Sequence, residues 1–347
     1  MASENLNSLL VEYEQKRIKA EFDLEKRKKE LYKKYPRLEE IEDQISQIAI
    51  TQTKEILNYQ LKKEKINKDK NDIIKELENK IKKLKEEKEN ILKKANIQES
   101  YLKPIYECPI CKDTGYIRNN TSETTMCKCL KQKLIDISYN KSNLVNLQNQ
   151  NFEKFDDKIF SDEINIDKYK FKISPRKNIN NIRKASEKFI DNFDDINTKN
   201  LLFSGNTGLG KSYMSNCIAN ELLKRGKTVL YQTAPVLLEK IIDNKFNKYK
   251  TREMAEFNDR ALDVDLLIID DLGTECLNSM KLSELFTILN TRLLNLNNRS
   301  TKTIISTNLN IEQIFNIYEE RIGSRIAGYY DIYHFFGDDL RFKINKK

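Results

Sequence analysis

The sequence predicts an α/β domain built around a mostly parallel five-stranded sheet, preceded by an all-α arm and a small cysteine module. Three observations predict it. The stretch NLLFSGNTGLGKS runs from an apolar strand through a glycine loop into a helix; four further apolar runs, TVLYQTA, DLLIIDD, KTIISTN and YYDIYHFF, alternate with helical patterns; and residues 1–100 hold one proline and no glycine. Alternation of strand and helix packs helices against a parallel sheet and gathers ligands at the C-terminal ends of its strands.

The glycine loop comes first. Gly205, Gly210, Lys211 and Ser212 fill the template GxxxxGKS. In that template the backbone N–H groups of the loop, here Gly205, Asn206, Thr207, Gly208 and Gly210, cradle phosphates, while the lysine reaches the β and γ phosphates and the hydroxyl holds Mg²⁺. Met214, Ile218 and Leu222 repeat every four residues in the helix that follows, and Gly226 stands where that helix closes. A helix N-terminus behind a glycine loop is an anion site, because free N–H donors and partial positive charge coincide there. The expected ligand is ATP.

The run DVDLLIIDDLG is a buried strand that delivers two carboxylates to its C-terminal end. Asp270 stands where a P-loop protein holds Mg²⁺, and Asp271 where a carboxylate can orient or deprotonate the attacking water. Asp is one methylene shorter than the Glu common at that second position, so slow hydrolysis is expected. TIISTNL ends in Asn308, whose amide is suited to touching the γ-phosphate or the attacking water. Arg321 and Arg325 follow at i, i+4 spacing on one helix face, either as a pair able to stabilise phosphate charge from a neighbouring subunit or as surface partners of Glu319 and Glu320.

Upstream, Cys108, Cys111, Cys127 and Cys129 form a CPIC pair and a CKC pair. Four thiolates in two close pairs suit a closed, tetrahedral structural Zn²⁺. The only histidine, His334, is far away in sequence, which leaves the usual catalytic zinc pattern unsupported. Cys217 and Cys276 are single and read as small buried hydrophobes.

Residues 1–100 read as a helical hairpin or coiled coil. Pro36 suits the first turn of a helix, and two seams, Leu38, Ile41, Ile45, Ile48 and Ile74, Leu77, Ile81, Leu84, Ile91, flank the polar stretch KKEKINKDKND. A lone charged helix or a partly disordered arm is the alternative. The cysteine module occupies 101–135, a connector with docked aromatics Phe152, Phe155 and Phe160 occupies 136–175, and the nucleotide domain occupies 176–347.

The chain carries 62 Lys+Arg against 53 Asp+Glu, a formal charge of +9 that favours an anionic partner. Lys240, Lys245, Lys248 and Lys250, interleaved with Phe246 and Tyr249, suit single-stranded DNA, with an amphipathic helix and a solvated lysine face as the bland alternative. Charges from the fourth residue onward and the absence of a long apolar run predict a cytoplasmic protein with no membrane segment. Nothing signals a pocket for a small phosphoryl acceptor, so the nucleotide reads as a switch.

Taken in order, GNTGLGKS, LLIIDDLG, TIISTNL and ERIGSRI resemble the AAA+ module of the DnaC/DnaI family of bacterial replicative helicase loaders, nearest to the version in low-GC Gram-positive bacteria. The likeness extends to the charged N-terminus, YECPICKDTGYI, FEKFDD and FFGDDLR, and so covers essentially the whole chain. It implies an ATPase whose residues 1–135 bind the hexameric replicative helicase, which acts with single-stranded DNA in primosome assembly at the nucleoid, and which self-associates through its ATP site. Lys211 and Ser212 would be the Walker A pair, Asp270 and Asp271 the Walker B pair, Asn308 the sensor I residue, Arg325 the arginine finger and Arg321 its neighbour. Arg341 is placed to approach the phosphates without an assigned role. Only about 20 residues follow Arg325, too few for the helical lid that most AAA+ proteins carry. Two rivals share these motifs: an IstB-type transposition helper acting on duplex DNA, and a noncatalytic adaptor in which ATP is structural.

Overall fold

The computed structural model describes residues 2–62, 68–118, 124–136, 150–246, 261–295 and 301–341, without the side chains of 2–5, 52, 55–62, 68–75, 246 and 295. Ser8–Thr124 forms one compact unit, and a second is built chiefly on Thr125–Lys347.

The first unit is helical. Helix α1 (Ala2–Lys34) ends at Tyr35, and Pro36, which has no N–H to satisfy, opens α2 (Pro36–Lys62). Helix α3 (Lys68–Lys94) returns along α2, so the two seams form the expected hairpin; the turn between them lies outside the described residues. Leu38 and Ile41 are fully buried, and Leu92 rather than Ile91 is the deepest residue at the end of α3. Leu31, Leu38, Leu92 and Leu102 form a cluster in which α1 supplies a third wall that the seam pattern did not single out.

Short strands β1 (Tyr116–Arg118) and β2 (Thr124–Met126) pair with each other, and α4 (Lys128–Ile135) follows. Within the second unit α4 docks on the edge of the main sheet: the Gln132 amide donates to the Val229 carbonyl at 3.1 Å and accepts from its N–H at 2.8 Å. The stretch expected to be a connector is in part a wall of this unit. Phe160 is buried in its core, Phe152 and Phe155 pack against that core, and Ser174 caps α5 (Pro175–Asp191). Aromatics in a polar stretch signal docking, because only a packed surface can keep three large rings from water.

The main sheet runs β4-β5-β6-β3-β7, all parallel, with β3 (Asn200–Ser204), β4 (Val229–Thr233), β5 (Leu266–Leu272), β6 (Lys302–Thr307) and β7 (Tyr330–His334). Alternation along β5 sorts its residues between two cores. Leu266 and Ile268 face α5 and α6 (Lys211–Lys224); Leu267 and Ile269 face α7 (Ala234–Phe246), α8 (Ser279–Asn295) and α9 (Ile311–Tyr329). Met214, Ile218 and Leu222 are fully buried, a stripe in which each side chain contributes roughly 1.5–3 kcal/mol. Gly226 ends α6 at φ +74°, with its N–H on the Leu223 carbonyl. Cys217 is buried as expected, but Cys276 is exposed, because it lies in the polar turn between β5 and α8 rather than on an element with an inward face.

Two distortions mark the C-terminal edge of the sheet. The β5–β6 register slips between Ile269 and Leu272, with Asp271 at φ +53° inside the slip. Helix α9 is two helical stretches meeting at Glu319, at φ 66° and ψ 155°, a region that costs a non-glycine residue roughly 1–3 kcal/mol. Across that bend the Phe315 ring lies where a Cβ on Gly323 would come within 2.7 Å, so only glycine fits there.

In the helical unit Glu42 accepts hydrogen bonds from Lys88 (2.6 Å), Tyr32 (2.6 Å) and Lys28 (3.2 Å), joining all three helices. Burial alone would raise its pKa, but these donors outweigh burial and hold it down at about 2. The stabilisation is therefore complete above the ordinary carboxylate value and is lost as pH falls through about 4.5 toward about 2. Glu42→Gln is expected to lower stability at neutral pH by about 1–2 kcal/mol, after allowing for the water that reaches this site, and to abolish most of the wild-type difference at pH 3. Urea denaturation followed by circular dichroism at the two pH values measures it.

Candidate nucleotide-binding site

The cleft is assembled from strand ends. The P-loop leaves β3, turns at Gly208 (φ +77°) and enters α6 at Gly210 (φ +89°). The Lys211 ammonium is buried at the loop's centre, donating to the carbonyls of Gly205 (2.6 Å) and Asn206 (2.8 Å) and to Asn308 Oδ1 (2.8 Å). Burial pushes its pKa down, while Asp271 and Asp270 pull it back up. Asn308, just beyond the end of β6, thus stands on the lysine of the glycine loop.

Asp270 is buried at the end of β5 and is held by three hydroxyls: Ser212 at 3.2 Å on one carboxylate oxygen, Ser306 on the same oxygen and Tyr231 on the other. Burial, then the Asp270 charge, pushes the Tyr231 hydroxyl far above its ordinary pKa, so it stays a donor. Ser212 and Asp270 are hard oxygen donors side by side, a set that fits Mg²⁺. Asp271 opens into the cleft, and burial followed by the neighbouring Asp270 charge raises its pKa.

The cleft holds about 690 Å³. Its walls include Phe155, Ile159 and Phe160, which sequence reasoning did not assign to the site, and Arg341, which it placed near the phosphates without a role. The aromatic spacing in NFEKFDDKIF was the available signal for the first three. Nothing in the run TVLYQTA signalled that Tyr231 would grip Asp270.

The C-terminal segment straps the P-loop. The Phe335 N–H donates to the Ser204 carbonyl (2.7 Å) and the Leu340 N–H to the Gly208 carbonyl (3.0 Å). The Asp339 carboxylate lies where a Cβ on Gly208 would come within 1.9 Å. Arg341, paired with Asp339 at 3.5 Å, lies close enough to act electrostatically on both Lys211 and Asp271.

Arg321 and Arg325 do not line this cleft. Both guanidinium groups lie over the Phe286 ring, at 4.7 and 4.4 Å; Arg325 donates to Asn290 Oδ1 (2.9 Å), and Arg321 pairs with Glu319 (2.8 Å). The basic segment also differs from a row of open cations: Lys240 is half-buried, with its pKa lowered by burial, and Lys245 pairs with Glu284 at 2.7 Å. The amphipathic alternative accounts for this, since Leu237, Leu238 and Ile241 face the core and their neighbours are drawn in with them. The Phe246 side chain, Lys248 and Lys250 lie outside the described residues.

The Sγ atoms of Cys108, Cys111, Cys127 and Cys129 all lie within 4.8 Å of one another. The Asp113 carboxylate shapes the CPIC turn by accepting from the N–H groups of Glu107 (2.9 Å) and Cys108 (2.8 Å). Four soft ligands converging in this way are compatible with tetrahedral zinc.

A strand, phosphate loop and helix joined to a paired-carboxylate strand end define a P-loop nucleotide-binding domain. The family model described as IstB-like ATP binding protein matches residues 164–322. The chain is 31% identical to the replicative helicase loader DnaC of Escherichia coli K12 over 148 residues, 43% of this chain and 57% of DnaC. DnaC of Buchnera aphidicola subsp. Baizongia pistaciae is 33% identical over 91 residues, 26% of this chain and 36% of that protein. Among solved structures, a DnaC helicase loader aligns with TM-score 0.44 and 20% identity, covering 55% of this chain and 98% of that one; DnaI aligns with TM-score 0.42 and 24% identity, covering 56% and 94%. Residues 164–322 thus match an IstB-like ATP-binding model, and the sequence likeness to DnaC is to a replicative helicase loader. The chain spans little more than half the length of the curated DnaC proteins it matches first.

Two outcomes test the site. Arg341→Ala is expected to weaken binding of a fluorescent ATP analogue roughly 5–30-fold, the effect of losing about 1–2 kcal/mol from a charged hydrogen bond, while leaving adenosine binding unchanged in a competition titration. Purified protein is expected to carry one zinc per chain by atomic emission, and Cys111→Ser to lose it.

Proposed function

We propose that this chain is an ATP-dependent loader of the replicative DNA helicase onto single-stranded DNA during replication initiation or restart, acting in the bacterial cytoplasm at the nucleoid. The observation that carries the reading is the separation of the two arginines from the cleft of their own chain: Arg321 and Arg325 are displayed over Phe286, while the cleft has its own lysine, carboxylates and Arg341. A site divided in this way suits a nucleotide shared between subunits.

ATP would lie with its base against Phe155, Ile159 and Phe160 and its phosphates on the P-loop N–H groups. Lys211 would exchange loop carbonyls for phosphate oxygens while keeping Asn308 informed of the γ-phosphate. Ser212 and Asp270 would hold Mg²⁺, which would draw charge from the β and γ phosphates. Asp271 would orient the attacking water, with Tyr231 and Ser306 keeping Asp270 still beside it. Arg325 of a neighbouring subunit would stabilise the charge that develops, so assembly would depend on the γ-phosphate and end on hydrolysis. The helical unit and a zinc-filled cysteine cluster within residues 1–135 would hold the helicase, and the surplus of positive charge favours DNA as the second partner. No helix among the described residues is long and apolar enough to cross a membrane.

The test is size-exclusion chromatography with light scattering, mixing the protein with the hexameric replicative helicase of its host under ATP or ADP. A complex that requires residues 1–135, and whose stoichiometry changes with ATP but not in Lys211→Ala, is the expected result. Absence of any complex, together with tighter binding to duplex than to single-stranded DNA in an anisotropy titration, would move the assignment to a transposition helper.

A further inference from the structure

The loop that follows the Walker B strand is tied to α9 by a buried pair. Glu275 is 8% exposed; one of its carboxylate oxygens accepts the Gly273 N–H at 2.9 Å, and the other accepts the hydroxyl of Tyr318, which is fully buried. A carboxylate placed in an apolar core has no use there unless its lone pairs are met, and here one comes from each of two elements 43 residues apart. The loop is further fixed by the Thr274 hydroxyl on the Asp271 carbonyl (2.8 Å) and the Thr307 hydroxyl on the Leu272 carbonyl (2.6 Å). It is therefore tied by hydrogen bonds to Asp271 and to the end of β6.

At the other end of the pair, Tyr318 is the last residue before the bend at Glu319. Everything beyond the bend, including Arg321 and Arg325, takes its direction from that point. Phe315 on Gly323 closes the inside of the bend, and Phe286 and Asn290 fix where the guanidinium groups rest. Among the described residues Tyr318 joins the bend to the loop, through its hydrogen bond to Glu275 and through the Gly273 backbone, which also acts on its hydroxyl.

We propose that Glu275 and Tyr318 are positioning residues that lock the arginine-bearing half of α9 to the Walker B loop of the same chain, so that each subunit offers its arginines to its neighbour only in a geometry set by its own nucleotide site. The inference rests on the trans-acting arginine of the reading above. Neither residue touches the reacting atoms; both act through Arg325.

A mixing experiment separates the two ideas. Arg325→Ala subunits keep a complete nucleotide cleft, and Lys211→Ala subunits keep their arginines; combined with single-stranded DNA they are expected to recover ATP turnover that neither shows alone. Placing Tyr318→Phe in the Lys211→Ala partner keeps the ring in the core and removes only the hydroxyl. Recovered kcat is then expected to fall roughly 5–20-fold, as befits one charged hydrogen bond, with KM for ATP unchanged because the cleft that turns over is unaltered. Glu275→Gln in the same partner, which keeps an acceptor for one donor, is expected to give an intermediate loss and covers the case in which Tyr318→Phe does not fold. Recovery that is unchanged by both substitutions in folded subunits overturns the positioning role. Failure of the two parent variants to recover turnover removes the trans arginine, and the proposal falls with it.

Discussion

The carboxylate of Asp270 is the point on which the fold and the chemistry both depend. A buried charge costs several kcal/mol unless hydrogen bonds replace its water, and Asp270 finds its donors on three neighbours: Ser212 from the P-loop helix, Tyr231 from β4 and Ser306 from β6. That arrangement requires β4, β5 and β6 to lie side by side in one direction and α6 to begin directly over them, as the strand order provides. The slip of register just beyond Ile269 then turns Asp271 toward the cleft while leaving Asp270 in its hydroxyl cage. Adjacent residues of a regular strand point to opposite faces; a bulge lets two consecutive carboxylates serve one site.

Much of this was legible in the residues. The P-loop, the paired carboxylates, Asn308 and the four cysteines are encoded by local spacing, and local spacing survives folding. The helix stripes Met214–Ile218–Leu222 and Leu38–Ile41 were legible for the same reason, since burial follows a 3.6-residue period. What escaped depends on approach between distant segments. Tyr231 is one aromatic in a strand until β5 is laid beside it, and Glu275 is a loop acid until Tyr318 arrives. Phe155 and Phe160 advertised docking but not the surface they dock on. The lysines of α7 show what a basic, aromatic string does not reveal: packing of Leu237 and Leu238 draws Lys240 inward and leaves Lys245 to Glu284.

The C-terminal segment is a strap across the P-loop rather than a separate element. Here backbone hydrogen bonds from Phe335 and Leu340 sew residues 335–341 to the P-loop itself, and Arg341 arrives with them. The strap has its own support: Asp338 accepts from Lys168 and from the Tyr169 hydroxyl, and Phe336 stacks on Phe171 at 4.4 Å. Cover that is sewn to the loop cannot swing as a domain, which leaves exchange of a bound nucleotide to smaller movements.

The Gln132 amide on Val229 has a consequence of another kind. Strand β4 lies at the border of a parallel sheet, and a border strand recruits foreign chains wherever its N–H and C=O groups stand open. One side-chain amide from α4 occupies both groups of Val229 and bars that border to a passing strand. Helix α4 starts at the CKC pair and carries Cys129. The segment that brings two of the four thiols is therefore also the one that covers the border of the sheet.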